Sequence, residues 1–337
     1  MANQIMLGVI GVGRIGRLHA ENLHFRIPGS KVAAIADVRI EAAEEVSSTL
    51  GVKKAVRDYR ELLKDKEIDA VIICSSTDTH ADIIEEAAEA GKQIFCEKPI
   101  DFDLEKIDNA LDKVEKYGVK LQVGFMRRFD PTLRRVRQQI LDGMIGVPHI
   151  LRITSRDPEP PPLEYIKVSG GIFLDMTSHD FDIARFLIGE DVEEIYTAAG
   201  VMVDPRIGEA GDLDTAVITL KFKNGVIGTI DDCRKSGYNY DQRVEVLGSS
   251  GMVSTTNISP THTKLSNSES VQEDLPHFFF IERYSEAYVN EMADFINCLT
   301  NDSPLPVSGL DGRISVVMGK AARLSFDQNR PVKLSEI

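Results

Sequence analysis

Along the first third of the chain, short apolar runs alternate with segments whose apolar residues recur every three or four positions. Ile5–Ile10, Val32–Ala36, Ala70–Cys74, Ile94–Cys96 and Leu121–Phe125 read as strands. Between them Ile15–Leu23 is amphipathic, and Ile83, Ala87 and Ala90 share a helical face, as do Leu104, Ile107, Leu111 and Val114. Gly51, Gly91 and Gly118 each close a helical run, where a left-handed cap suits glycine. Strand–helix–strand alternation of this kind predicts a doubly wound parallel sheet.

After about Phe125 the rhythm changes. A helix over Pro131–Leu141 precedes a strand at Ile150–Ser155, a proline-rich loop at Pro158–Pro162 and a helix over Asp175–Leu187. Strands then dominate, at Glu194–Val201, Ala216–Lys223, Val226–Asp231, Arg243–Leu247 and Met252–Thr256, with Asn224-Gly225 marking a hairpin. Helices over Glu282–Leu299 and Arg313–Phe326 end the pattern. The expectation is an α/β domain over 1–125, then an α+β domain with a large, open, mainly antiparallel sheet over 126–337. The final helix has the option of packing back on the first domain. Val217, Leu220 and Ile227 are expected on a sheet face that the available helices leave uncovered, which points to a homo-oligomer.

A length of 337 residues suits two domains. With 39 Lys+Arg against 53 Asp+Glu, the net charge of −14 argues against nucleic acid or an anionic membrane as partner. The apolar runs are strand-length, too short to span a bilayer, and Met1–Gly8 reads as the approach to a first strand, not a targeting peptide. Cys74, Cys96, Cys233 and Cys298 are too dispersed for a zinc or disulfide framework, which suits reduced thiols in a cytoplasm.

Gly11-Val-Gly13-Arg14-Ile15-Gly16 follows an apolar strand and opens a helix. The first glycine permits a tight turn, the second lets a pyrophosphate approach the backbone, and the third lets helix and strand pack closely. Asp37 ends the second strand about twenty residues on, where an acidic side chain bonds a ribose 2′-hydroxyl. It also repels a 2′-phosphate, favouring NAD over NADP, while Arg39 softens that preference. Ser75, Ser76, Thr77 and His80 follow one strand and Glu97, Lys98 and Pro99 another, both at carboxyl ends where such sheets bind ligands.

In the second half, Asp175 and His179 stand four residues apart at the start of a helix, and an imidazole exchanges protons near neutral pH. On these residues alone Asp175 could equally be a helix cap and His179 a packed core imidazole. No further His/Cys cluster completes a metal site, so no metal is expected.

Together, Gly11–Gly16, Glu97-Lys98-Pro99, Gly124-Phe-Met-Arg-Arg-Phe129 and Gly170-Gly-Ile-Phe-Leu-Asp175-Met-Thr-Ser-His179-Asp-Phe-Asp resemble the glucose-fructose oxidoreductase / inositol dehydrogenase / rhizopine catabolism family over essentially the whole chain. Gly211–Ala216 and Tyr238–Arg243 resemble its inositol-oxidising branch. The resemblance implies a Rossmann NAD-binding domain, an α+β domain whose sheet is buried in dimers assembled into tetramers, and catalytic roles for Lys98, Asp175 and His179. It implies that Met126 lines the cofactor and that Arg127, Asp157 and Tyr240 join Lys98, Asp175 and His179 in contacting substrate. The implied reaction is NAD-dependent oxidation of a secondary hydroxyl of a cyclic polyol, myo-inositol to its 2-keto product. Another inositol isomer, an aldose or keto-sugar, or a non-catalytic NAD-binding regulator are the alternatives.

Overall fold

A computed structural model describes residues 4–337; Met1–Asn3, part of the segment read as leading into the first strand, lie outside the described residues. The chain forms two compact units, 1–129 with 286–314, and 130–285 with 315–337.

The first unit alternates strands and helices: β1 (Ile5–Ile10), α1 (Arg14–Phe25), β2 (Ser30–Ala36), α2 (Ile40–Leu50), β3 (Lys54–Val56), α3 (Arg60–Leu63), β4 (Ala70–Ile73), α4 (His80–Glu89), β5 (Gln93–Glu97), α5 (Leu104–Tyr117) and β6 (Leu121–Gly124). The six strands are parallel in the order β3-β2-β1-β4-β5-β6. The order in which successive strands join the sheet therefore reverses between β1 and β4, the place where open α/β sheets leave a crevice at their carboxyl ends. Residue chemistry sets the helix limits. Asp103 caps α5 by accepting from the Glu105 N–H at 2.9 Å, and Gly51 and Gly118 close α2 and α5 at positive φ.

The second unit follows: α6 (Pro131–Leu141), β7 (Pro148–Arg156), α7 (Leu163–Ile166), α8 (Ile172–Asp175), α9 (Thr177–Ile188), β8 (Val192–Gly200), α10 (Pro205–Glu209), β9 (Thr215–Phe222), β10 (Ile227–Cys233), β11 (Asp241–Gly248), β12 (Met252–Ser254), β13 (Lys264–Ser266), β14 (Val271–Glu273) and α11 (Phe280–Arg283). Then α12 (Ser285–Thr300) returns to the first unit, where Met292, Phe295 and Ile296 join the core of Leu7, Val9, Leu23 and Phe95. Finally α13 (Gly309–Gln328) and β15 (Val332–Lys333) end the chain.

The second unit's large sheet has seven strands ordered β12-β11-β7-β10-β9-β8-β15. It is antiparallel except for β7 and β10, which pair in parallel. The hairpin expected at Asn224-Gly225 joins β9 to β10, with Gly225 at φ +89° and the Phe222 N–H bonded to the Val226 carbonyl. Helix α9 packs on β7 and β10, and strand burial alternates accordingly. Val217 and Ile227 do lie on the outer face, each about half exposed, but Leu220 is fully buried on the inner face. Positions 217 and 220 differ by an odd number, and a period of two sends them to opposite sides. Among the described residues no helix is long and apolar enough to cross a membrane.

The helix expected over Asp175–Leu187 is instead two. Helix α8 ends at Asp175, α9 starts at Thr177, and Met176 between them has φ −91° and ψ −60°. The His179 N–H reaches the Met176 carbonyl at 3.3 Å in a tightened turn. The buried Thr177 hydroxyl sits at the break and donates to Asp232, with the Ile172 carbonyl 3.3 Å from the same oxygen. Asp175 therefore closes one helix and does not cap the next.

At the start of α13, burial would raise the pKa of Asp311, but the Arg128 guanidinium at 2.9 Å and the Ser308 N–H and hydroxyl hold it at about 2, below its ordinary 3.8. A folded-state pKa below the unfolded one means that this stabilisation is complete above about pH 4 and is lost as the pH falls through about 2. Asp311→Asn is expected to cost about 2 kcal/mol at pH 7, with the gap to the unmodified chain closing as denaturant melts are repeated toward pH 3. A gap independent of pH would contradict this.

Candidate active site

The nucleotide cradle is built by the turn after β1. Gly11 lies at φ +83°, and a Cβ there would stand 2.6 Å from the Ser75 nitrogen, so only glycine lets this turn abut the loop after β4. A Cβ at Gly16 would meet the Gly11 carbonyl oxygen at 1.9 Å, so the third glycine permits the close crossing of β1 and α1. Around Gly13 there is no atom within 4 Å of a built Cβ, and α1 starts there with no side-chain cap on its amide groups. Open space beside uncapped N–H donors at a helix N-terminus fits a pyrophosphate.

Asp37, nearly buried, accepts from the Val12 N–H at 2.9 Å and the Arg39 N–H at 2.8 Å. The carboxylate thus braces the glycine turn and retains lone pairs for a ribose hydroxyl. The Arg39 guanidinium is 72% exposed and 3.9 Å from it. Arg14 is exposed and Ile15 half-buried at the first turn of α1.

In the loop after β4, the Ser75 and Thr79 hydroxyls share a hydrogen bond of 2.7 Å, and Ser76 and Thr77 lead into a short 3-10 turn. His80 is buried, with Nδ1 2.9 Å from the Pro99 carbonyl and Nε2 3.0 Å from the Ser75 carbonyl. Its ring ties the loop after β4 to the Lys98-Pro99 turn, and to touch a cofactor it would have to release one of these bonds. Glu97 faces inward: Oε1 lies 2.7 Å from Nε2 of the buried His19, and its carboxylate packs on Gly124. With Glu291, these form a cluster whose donor atoms lie within 4.8 Å of one another. Two ligands of one tetrahedral ion stand about 3.3 Å apart, so the 2.7 Å contact is that of a shared proton. Lys98, half-buried, follows at a cis peptide with Pro99, and Met126 and Arg127 are buried in the 3-10 turn after β6.

In the second unit, the Asp175 carboxylate accepts from the Tyr165 hydroxyl through Oδ1 at 2.8 Å and from Nη1 of Arg234 through Oδ2 at 3.1 Å. Arg234 is 1% exposed, and its Nη2 lies 3.5 Å from Asp212. Asp212 in turn accepts from the Ile172 N–H at 2.9 Å, at the start of α8. His179 is half-buried one turn into α9. The Asp157 N–H and carbonyl bond to Cys233 and Ser236, which keeps this residue beside the end of β10. Tyr240 is buried edge-on against Tyr284, with ring centres 6.2 Å apart. Arg156, the last residue of β7, pairs with Asp231 and donates to Tyr238.

Structure thus gathers Asp157, Asp175 and Asp212 around Arg234, a residue that sequence reasoning did not single out. Tyr165 and Asp212 were missed as well. The signal available for Arg234 was a cation, next to Lys235, just past the end of a predicted strand. The one for Asp212 was its place in the Gly211–Ala216 run.

A dinucleotide cradle in one unit and, in the other, a buried carboxylate–guanidinium cluster whose Asp175 stands four residues before His179 fit an oxidoreductase that uses NAD. Residues 5–125 match the family model described as an oxidoreductase family with an NAD-binding Rossmann fold, and residues 133–254 match the GFO/IDH/MocA C-terminal domain. The chain belongs to this GFO/IDH/MocA family. It is 46% identical over 331 residues to the myo-inositol 2-dehydrogenase of Thermotoga maritima, covering 98% of this chain and 99% of that protein. The crystal structure of a putative myo-inositol dehydrogenase from Sinorhizobium meliloti superposes with a TM-score of 0.95 at 42% identity, covering 98% of this chain and 100% of that one. The scyllo-inositol dehydrogenase of Lactobacillus casei, crystallised with NAD(H) and scyllo-inositol, has a TM-score of 0.92 at 28% identity, covering 99% and 100%.

The two glycines make separable predictions. Gly13→Ala is expected to leave the melting temperature nearly unchanged and to weaken NAD+ binding at least tenfold by fluorescence titration, because its added methyl meets only ligand space. Gly16→Ala is expected to lower the melting temperature, because its methyl meets the Gly11 carbonyl. Loss of stability in Gly13→Ala with affinity retained would reverse this assignment.

Proposed function

We propose that this chain oxidises a secondary hydroxyl of a cyclic polyol, converting myo-inositol to its 2-keto product with NAD+. The substrate class rests on the activities that the relatives' names state. The observation that carries the chemistry is Asp175, a carboxylate gripped by two donors four residues before an imidazole.

When bound, NAD+ supplies the hydride acceptor that alcohol oxidation needs. Gly11, Gly13, Arg14, Ile15 and Gly16 receive the pyrophosphate, Asp37 the adenosine ribose, and the Ser75–Thr77 loop and Met126 the nicotinamide half. Asp37 disfavours a 2′-phosphate, so NAD is preferred to NADP. His179, neutral, takes the hydroxyl proton. Asp175 orients the imidazole and stabilises the cation it becomes. Lys98 donates a hydrogen bond to the reacting oxygen, a bond that strengthens as alkoxide character builds. Arg127, Asp157 and Tyr240 supply donors and acceptors for the remaining hydroxyls.

A second reading concerns the isomer, because the Lactobacillus casei structure holds scyllo-inositol. The same roles act on that ring when the axial hydroxyl is replaced by an equatorial one. We also propose a homotetramer assembled through the outer face of the seven-stranded sheet, where Val217, Ile227, Ile150 and Leu247 are exposed. Four free thiols suit work in a reducing cytoplasm.

Initial rates followed by the absorbance of reduced nicotinamide test the reading. Across inositol isomers and aldoses, the highest kcat/KM is expected with myo-inositol and NAD+. An aldose or NADP+ as best partner would overturn it. His179→Ala is expected to lower kcat about 10²–10⁴-fold with NAD+ affinity near normal. A folded variant with near-normal kcat would remove His179 from the mechanism. Sedimentation at micromolar concentration checks the assembly, and an active monomer would contradict it.

A further inference from the structure

Arg234 is a charge placed where water cannot screen it. Burial disfavours the charged guanidinium, yet the carboxylates of Asp175, Asp212 and Asp157 hold its pKa above the ordinary arginine value. A guanidinium keeps its proton throughout the range in which proteins stay folded, so Arg234 is a permanent cation bonded to Asp175.

That bears on His179, four residues after Asp175 in the chain and across the break at Met176, through the proposed pairing of this carboxylate with the imidazole. A lone carboxylate beside a histidine favours the imidazolium, and an imidazolium cannot accept the proton of an alcohol. A cation fixed on that carboxylate offsets the effect while leaving the oxygen atoms available to orient the ring. We propose that Arg234 is a positioning residue for the reaction: through Asp175, and with Tyr165 holding the second carboxylate oxygen, it keeps His179 neutral and aligned at the pH of turnover. This rests on the function proposed above.

Other charged groups lie on and around α9. Asp180 and Asp182 belong to α9 itself and are buried, and Asp232 on β10 is engaged by Thr177. Asp157 and Asp212 share the same guanidinium. Arg156, at the end of β7, is paired with Asp231. On α6, Arg137 donates to the Leu187 carbonyl near the far end of α9, and Arg134 lies one turn before it along α6.

The test reads the His179 imidazole by NMR titration of the full chain without substrate or cofactor, alongside the pH profile of kcat/KM. In Arg234→Met, His179 is expected to titrate about one pH unit higher, with the acid limb of the profile moving equally. At pH 6, kcat/KM should fall about tenfold while NAD+ affinity holds. Arg234→Lys should restore most of the titration and part of kcat, since it returns the charge but not the forked geometry. An unchanged His179 titration in Arg234→Met, or a Lys variant no better than Met, would overturn the proposal. Should Arg234→Met fail to fold, Tyr165→Phe carries the test at a half-exposed position. It frees one Asp175 oxygen and should raise the titration by about 0.3 pH unit, and no movement would overturn the proposal. Because the titration needs no substrate, absence of polyol turnover in the unmodified chain would sink the proposed function separately.

Discussion

A carboxylate removed from water must be given donors, and that requirement organises the loops of this protein. The chain carries an excess of acid, and part of it is turned inward. Asp37 braces the glycine turn through the Val12 and Arg39 amides. Asp130 caps α6 through Leu133 and pairs with Arg283. Asp214 gathers the amides of Met202, Val203 and Asp204 in one loop. Asp212 starts α8 through the Ile172 amide and meets Arg234, which also meets Asp175. Each of these carboxylates fixes a backbone segment or a charged partner, and for Asp37 and the Asp212–Arg234–Asp175 chain those are the segments given cofactor and substrate roles in the proposed function. The stability of the loops and the alignment of the chemistry thus have one origin.

Features written in local sequence were legible. The Gly11–Gly16 turn and the Asn224-Gly225 hairpin depend on neighbours a few residues away, and Asp37 stands at a fixed distance after the glycine turn, so spacing alone exposes them. The alternation of strands and helices likewise showed a parallel, doubly wound sheet and five of its six strands; the three-residue β3 is too short to leave a pattern and was missed. What stayed hidden depends on partners far along the chain. Arg234 and Asp175 are 59 residues apart, and no periodicity links them. At the break at Met176, Thr177 bonds to Asp232 on another element, and the helical pattern runs through it undisturbed. His80 and Glu97 were legible as residues at strand ends, but not that His80 would bind two carbonyls or Glu97 turn inward to His19.

The two units also differ in what they offer a ligand. The first unit offers open space at Gly13, where a ligand supplies the missing contacts. The second offers a polar cluster completed internally, with Asp175 gripped from two sides. In the proposed reaction these would serve as the cofactor cradle and the acid–base group, because electrons and proton leave the same carbinol by different routes.

That separation of electrons and proton is the central claim, and isotope tracing tests it most directly. The chain would be incubated with NAD+ and myo-inositol deuterated at the carbinol carbon, and the reduced nicotinamide and ketone examined by mass spectrometry. The account predicts that deuterium moves intact to the nicotinamide, with a slower turnover than for the protiated polyol. Reduced nicotinamide carrying only protium, or deuterium released to water, would contradict it.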